Sequence, residues 1–149
     1  MYERILVPLD GSPLSESILP YAQSLAKALN SELVLLHVIV SPVDEFVDSN
    51  KTPLAPKASL DAKERREVTR YMKDLCVKLE KEGLRATYLI REGTVTEKIL
   101  EDAGIMQADL IAMSTHGRSG VRRVLMGSVT EWTIKHSPAP VMVIHPQSE

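Results

Sequence analysis

Cysteine is almost absent from this 149-residue sequence, and the marks of several protein classes are missing with it. Cys76 is the only cysteine, which excludes an internal disulfide and any metal site built from several cysteines. No apolar run approaches the roughly 18 residues of a membrane-spanning helix. Residues 1–4 lead directly into a short apolar run, so a secretory signal peptide is not indicated. We therefore expect a cytoplasmic protein that does not enter a membrane.

Charge and known binding motifs are also scarce. The formal net charge is only −2, which argues against broad electrostatic binding of nucleic acid. Neither GxGxxG nor GxxxxGK[ST] occurs, which disfavours a standard dinucleotide fold or a Walker-type site. The four histidines lack the spacing of metal ligands and have no acidic cluster beside them, so no transition-metal site is expected.

The length and composition are those of one globular domain, here residues 1–149. Hydrophobic residues make up 44% of the chain and charged residues 26%, which excludes a disordered chain or a fibre. Residues 41–57 lose all periodicity and contain Pro42, Pro53 and Pro56. We expect this segment to be a mobile loop, with a lid over a ligand as the alternative.

Strand and helix patterns alternate along the chain. Apolar runs predict strands at residues 5–8, 33–40, 86–91, 109–113 and 141–144. Helical spacing predicts a helix from Pro13 with Ser12 as its N-cap and a kink at Pro20, followed by helices at 59–82, from 95 and at 129–135. This order predicts a doubly wound α/β domain of five parallel strands, whose ligand lies where the strand order reverses.

The stretch from residue 108 to 131 carries the strongest functional signal. A predicted strand ends at Ser114 in a loop that contains Gly117 and several arginines but no carboxylate. Ser128 and Glu131 have the spacing of a capping box, which predicts a helix start at Gly127 and Ser128. Backbone N–H groups at a helix N-terminus favour an anion such as a phosphate. The alternative is a plain surface loop whose glycines only make turns.

These residues resemble the C-terminal signature of the universal stress protein family. Its nucleotide-binding members carry Gly, two residues, Gly, nine residues, Gly and then Ser or Thr, and Gly117, Gly127 and Ser128 match this pattern. Ser114 stands where the pattern has its first glycine. Other family marks are the runs RILVPLDGS from Arg4, LLHV from residue 35 and PAPVMV from residue 138. Together they span nearly the whole chain in the family's order.

The resemblance implies the strand order 3-2-1-4-5, a bound ATP, and a homodimer formed through the edge strand Val141–Ile144. We expect magnesium to arrive with the nucleotide, because it usually keeps several waters and binds phosphate oxygens. The resemblance places the ribose near Asp10, adenine against the backbone of Val38, and the phosphates at the glycine motif. Asp10 has a structural alternative as the cap of a turn, while Val38 and Met113 have one as core residues. The implied nucleotide-binding residues are Pro8, Leu9, Asp10, Val38, Met113, Ser114, Thr115, His116, Gly117, Arg118, Ser119, Gly127, Ser128 and Val129.

Three functions remain open at this point. The first is an ATP-binding stress or regulatory protein whose nucleotide sets a conformation or a partner. The second is an enzyme, either a slow ATPase or an adenylate-type hydrolase, although the glycine loop offers no carboxylate as a base and we assign no catalytic residue. The third is an interaction module that binds no nucleotide, which the replacement by Ser114 keeps open.

Overall fold

Five parallel strands form the centre of the molecule. The computed structural model describes residues 1–40, 58–115 and 127–146, with the backbone alone described for 58–61. The strands are β1 (Arg4–Pro8), β2 (Glu32–Ile39), β3 (Arg85–Glu92), β4 (Leu110–Ser114) and β5 (Val141–Ile144). They lie in the order β3-β2-β1-β4-β5, and every neighbouring pair is parallel. The predicted fold class and strand order are therefore confirmed.

Helices cover both faces of this sheet. The described helices are α1 (Pro13–Glu16), α2 (Leu19–Leu29), α3 (Ala58–Lys81), α4 (Val95–Ile105) and α5 (Ser128–His136). Side chains alternate along each strand, so Ile5 and Val7 pack on one face and Leu6 on the other. The first face packs with α2 and α3 through residues such as Ala22 and Met72, and we name it the α2–α3 face. The second packs with α4 and α5 and is named the α4–α5 face.

The first helical segment differs from its prediction. Ser12 is the N-cap of α1 as expected, and its Oγ accepts a 3.1 Å hydrogen bond from the Ser15 N–H. The chain then forms two helices instead of one kinked helix, with the break at Ser17 and Ile18. Pro20 lies in the first turn of α2, where its missing N–H has no intrahelical acceptor to lose. The proline therefore begins a new helix and does not bend an existing one.

Two predicted loops fall outside the described residues. They are the proline-containing segment at 41–57 and the central part of the glycine loop at 116–126, which includes His116, Gly117, Arg118 and Ser119. Among the helices of the described ranges, none has the length and apolar character required to cross a membrane.

Candidate functional site

The candidate site is the crevice between the carboxyl ends of β1 and β4. Strand β1 pairs with β2 as far as Pro8, and β4 pairs with β5 as far as Ser114. Between β1 and β4, in contrast, the described register covers Ile5 with Leu110 and Leu6 with Ile111 and no later residues. The two central strands thus follow their outer neighbours and separate from each other towards their carboxyl ends. This is the position at which open parallel sheets bind ligands, because the strand order reverses there.

A tight turn closes the β1 side of the crevice. The Asp10 Oδ1 atom accepts hydrogen bonds from the Ser12 N–H at 2.9 Å and from the Ser12 hydroxyl at 2.5 Å. The Ser15 hydroxyl lies between the Asp10 N–H and the Ser12 carbonyl oxygen, at 3.2 Å and 3.0 Å. Gly11 has a φ of +87°, a conformation that side-chain-bearing residues rarely adopt. Asp10 therefore caps this turn, and its contact with a ribose stays a prediction.

A long-range contact joins α1, which follows this turn, to α3. The Tyr71 hydroxyl, on α3, donates a 2.6 Å hydrogen bond to Glu16 Oε1 on α1. Burial, this hydrogen bond and the carboxylates of Glu16 and Asp10 raise the pKa of Tyr71 well above its usual range, so the phenol stays protonated. The negative charges of Glu16 and Asp10 both act on this phenol.

Two hydrogen bonds join the start of α5 to the end of β4. The Gly127 N–H donates to the Thr115 carbonyl oxygen at 2.9 Å, and the buried Thr130 hydroxyl donates to the Ser114 carbonyl oxygen at 3.1 Å. A β-carbon at residue 127 would lie 2.7 Å from the Thr115 oxygen, well inside van der Waals contact. Glycine is required here by close packing and not by an unusual φ, which is −64°.

The predicted capping box at this helix start is wrong. Gly127 is the N-cap, its carbonyl oxygen accepts from the Glu131 N–H, and among the described residues no side chain makes a cap hydrogen bond. Ser128 is the first residue of the helix, and Glu131 pairs with Lys135 at 3.2 Å. The helix N-terminus nevertheless lies at the carboxyl end of β4. The N–H groups of its first turn have no acceptor within the helix, and such groups favour an anion.

Three apolar residues of the predicted site pack together on the α4–α5 face, whereas Leu9 is buried on the α2–α3 face. Met113 is buried in this cluster, and the partly buried Val38 and Val129 pack against it. The side chains of these residues therefore form part of the hydrophobic core, which is the structural alternative given above for Val38 and Met113. This packing also places the ends of β2 and β4 and the first turn of α5 on one side of the sheet.

Most of the predicted site residues lie at the carboxyl ends of the strands. Two groups face each other across the crevice: Pro8, Leu9 and Asp10 on one side, and Met113, Ser114, Thr115, Gly127, Ser128 and Val129 on the other. Val38 lies near the carboxyl end of β2, at the same end of the sheet and one strand further out. In the described ranges no group of three or more His, Cys, Asp or Glu residues could hold a metal ion.

Three residues that shape this site were not predicted from the sequence. Ser15 and Thr130 are buried residues with hydroxyl groups, and Tyr71 is a partly buried residue of α3 that bonds Glu16. The spacing of Ser15 from the N-cap Ser12 was a usable signal for the first. The partners of Thr130 and Tyr71 lie 16 and 55 residues away, so neither contact has a local signal.

Two solved structures with the same fold contain adenine nucleotides. A universal stress protein in complex with cAMP superposes with a TM-score of 0.68, is 20% identical, and is matched over 98% of both chains. A universal stress protein family member from Arabidopsis thaliana with AMP bound gives a TM-score of 0.68 at 17% identity, over 97% of this chain and 92% of that one. At these identities the likeness establishes the fold alone.

Two relatives from Methanocaldococcus jannaschii are more similar in sequence. Universal stress protein MJ0531 is 32% identical over 97% of this chain and 82% of its own length. Universal stress protein MJ0577 is 31% identical over 97% of this chain and 95% of its own. The solved structure of MJ0577 superposes with a TM-score of 0.85, over 100% of this chain and 99% of that one. Residues 1–145 match the universal stress protein family, and the chain belongs to that family.

Proposed function

We propose that this protein binds an adenine nucleotide in the crevice between β1 and β4, and that the nucleotide is ATP with magnesium carried by its phosphates. The observation that supports this most directly is the fastening of the α5 N-terminus to the end of β4 by Gly127 and Thr130. The family membership and the adenine nucleotides bound by two proteins of the same fold support the choice of ligand.

In this proposal the phosphates lie at the first turn of α5. The backbone N–H groups of Ser128 and Val129 and the positive end of the helix dipole favour negative charge there. The close approach of Gly127 to the Thr115 carbonyl oxygen holds these donors beside the crevice. Gly117, Arg118 and Ser119 are proposed from the sequence motif to complete the phosphate contacts, together with His116.

The nucleoside lies towards β1 and β2. Adenine is assigned to the backbone at Val38, beside Met113, and the ribose to Asp10 with Pro8 and Leu9. Magnesium suits this arrangement, because it usually keeps several waters and is held by phosphate oxygens with one or two carboxylates. Its charge would also offset the carboxylate of Asp10, which would otherwise repel a polyphosphate.

We propose binding and regulation as the role, with turnover slow at most. A phosphate bound at fixed backbone donors is stabilised nearly as well before the transition state as in it, so these donors accelerate hydrolysis little. The slow ATPase or adenylate-type hydrolase is the alternative, and an interaction module without nucleotide is the other. In the leading proposal the protein acts in the cytoplasm, and the bound nucleotide sets a conformation or the choice of a protein partner.

A homodimer through β5 is proposed with it. Val141–Ile144 pairs with β4 on one side and forms the end of the described sheet on the other. Its four residues are apolar and only partly buried. An apolar strand at a sheet edge favours pairing with another chain, and a second copy gives closed two-fold symmetry.

The decisive experiment places one charge at the proposed phosphate site without harming the helix. Ser128 is exposed and is the first residue of α5, so Ser128→Asp should stabilise the helix by about 0.3–1 kcal/mol through the dipole. The same carboxylate would repel phosphates, and calorimetry should show ATP binding weakened by about tenfold or more. Ser128→Asn is the matched neutral control. Equal ATP affinity of both variants, or no binding by the unchanged protein, would refute the proposed site.

A further inference from the structure

The buried hydroxyl of Thr130 joins two elements of the proposed site. Thr130 lies in the first turn of α5 and is only 2% exposed. Its Oγ1 donates to the carbonyl oxygen of Ser114, 16 residues earlier, at the last position of β4. A buried hydroxyl lowers its free energy by finding an acceptor, and this acceptor belongs to another element. The bond therefore fixes the helix relative to the strand.

A neighbouring threonine makes a different bond. Thr133 is also buried and lies one turn further along α5, but its hydroxyl donates at 2.7 Å to the carbonyl oxygen of Val129 in the same helix. This bond is local to the helix and does not reach the sheet. Thr130 and Thr133 are therefore two buried threonines of one helix, of which only the first ties the helix to β4.

We infer that Thr130 is a positioning residue for the phosphates of the bound nucleotide, an inference that rests on the proposed function. Two hydrogen bonds join α5 to consecutive residues at the end of β4. The Gly127 N–H donates to the Thr115 carbonyl oxygen, and the Thr130 hydroxyl donates to the Ser114 carbonyl oxygen. Because these two hydrogen bonds start from different points of one helical turn, they fix the rotation of α5 about its axis as well as its distance from β4. Donors whose direction is fixed before binding hold a phosphate more tightly, because less freedom is lost when it binds.

The inference is tested with Thr130→Val, which keeps the shape of the side chain and removes the donor. ATP binding should weaken by about three- to tenfold, the effect of one neutral hydrogen bond. Thr130→Ser, which restores a hydroxyl, should bind close to the unchanged protein, and Thr133→Val should bind equally well. Adenosine, which has no phosphate, should lose no affinity in Thr130→Val. Hydrogen exchange of the Gly127 amide should become faster in Thr130→Val but not in Thr133→Val.

The outcomes separate this inference from the proposed function. If the unchanged protein binds ATP and Thr130→Val binds it equally tightly, the positioning role is wrong and the proposed function stands. If the unchanged protein binds no adenine nucleotide, the proposed function is wrong and the positioning role is wrong with it. Equal losses in Thr130→Val and Thr133→Val would indicate general helix damage and would also overturn the inference. Should Thr130→Val not fold, Thr130→Ala gives the same comparison.

Discussion

Replacement of Gly127 by alanine should destabilise the fold, although a change from glycine to alanine often stabilises a protein by lowering the entropy of the unfolded chain. A β-carbon at this position would lie 2.7 Å from the Thr115 carbonyl oxygen, while ordinary contact begins at 3.4 Å. The helix start and the strand end must therefore separate by about 0.7 Å. The obstacle is backbone, so no side-chain rotation relieves it, and the Thr130 bond to Ser114 resists the shift.

The magnitude follows from two opposing effects. Overpacking of this kind costs about 1–3 kcal/mol. The lower entropy of the unfolded chain with alanine returns about 0.4–1 kcal/mol. The net loss should be about 1–2 kcal/mol, which corresponds to a fall of about 3–6 °C in Tm for a domain of this size.

Chemical denaturation measures this loss as a lower midpoint at unchanged slope. Gly104→Ala is the matched control, because Gly104 is an exposed residue of α4 and its added β-carbon would lie more than 4 Å from every described atom outside the adjoining helix backbone. That variant should gain up to about 1 kcal/mol from helix propensity. If Gly127→Ala proves as stable as Gly104→Ala, the close contact with Thr115 does not determine the need for glycine.

Four further expectations follow from the same structure. Ser114→Gly should change ATP affinity by less than about twofold, because Ser114 lies in β4 without a positive φ and so has no strain for glycine to relieve; calorimetry that finds much tighter binding would contradict this. The free energy of unfolding should fall as the pH rises above about 10, because the raised pKa of Tyr71 means that the unfolded chain releases this proton first. Denaturation of Tyr71→Phe at pH 9 to 11 should show a weaker fall. Light scattering should give twice the 16.5 kDa chain mass, and a mass of 16.5 kDa at all concentrations would exclude the dimer through Val141–Ile144. Phosphate release should stay well below the median enzyme rate of about 10 per second; sustained turnover of several per second that is lost in Asp10→Asn, which keeps the acceptor of the turn, would make Asp10 catalytic.

The sequence predicted the elements well because their signals are local. Strand β5 has the predicted bounds, and β3 differs from its prediction by one residue at each end. Ser12 followed by Pro13 identified a helix start. The Ser12 side chain caps the first turn, and Pro13 has no backbone N–H that would need a partner there. Such signals depend on neighbours in sequence, so one chain is enough to read them.

The details that shape the site depend on distant partners and could not be read in this way. Ser128 has the residue type and spacing of a capping box, yet Gly127 is the N-cap, at a position where a β-carbon would meet the Thr115 oxygen. The separation of β1 from β4 after Leu6 likewise results from each strand following its outer neighbour. Sequence patterns predicted that the site lies at the carboxyl ends of the strands, whereas tertiary contacts determine the geometry of the site.

The two motif positions at Ser114 and Gly127 differ for a physical reason. Ala112 packs on the α2–α3 face and Met113 on the α4–α5 face, so the alternation of β4 places the Ser114 side chain on the α2–α3 face. Helix α5 approaches from the opposite face and bonds the Ser114 carbonyl oxygen. Any residue that keeps an extended strand can supply that oxygen. At residue 127, in contrast, the β-carbon itself would meet the Thr115 oxygen. The anchor of α5 therefore requires glycine at one position and tolerates serine at the other.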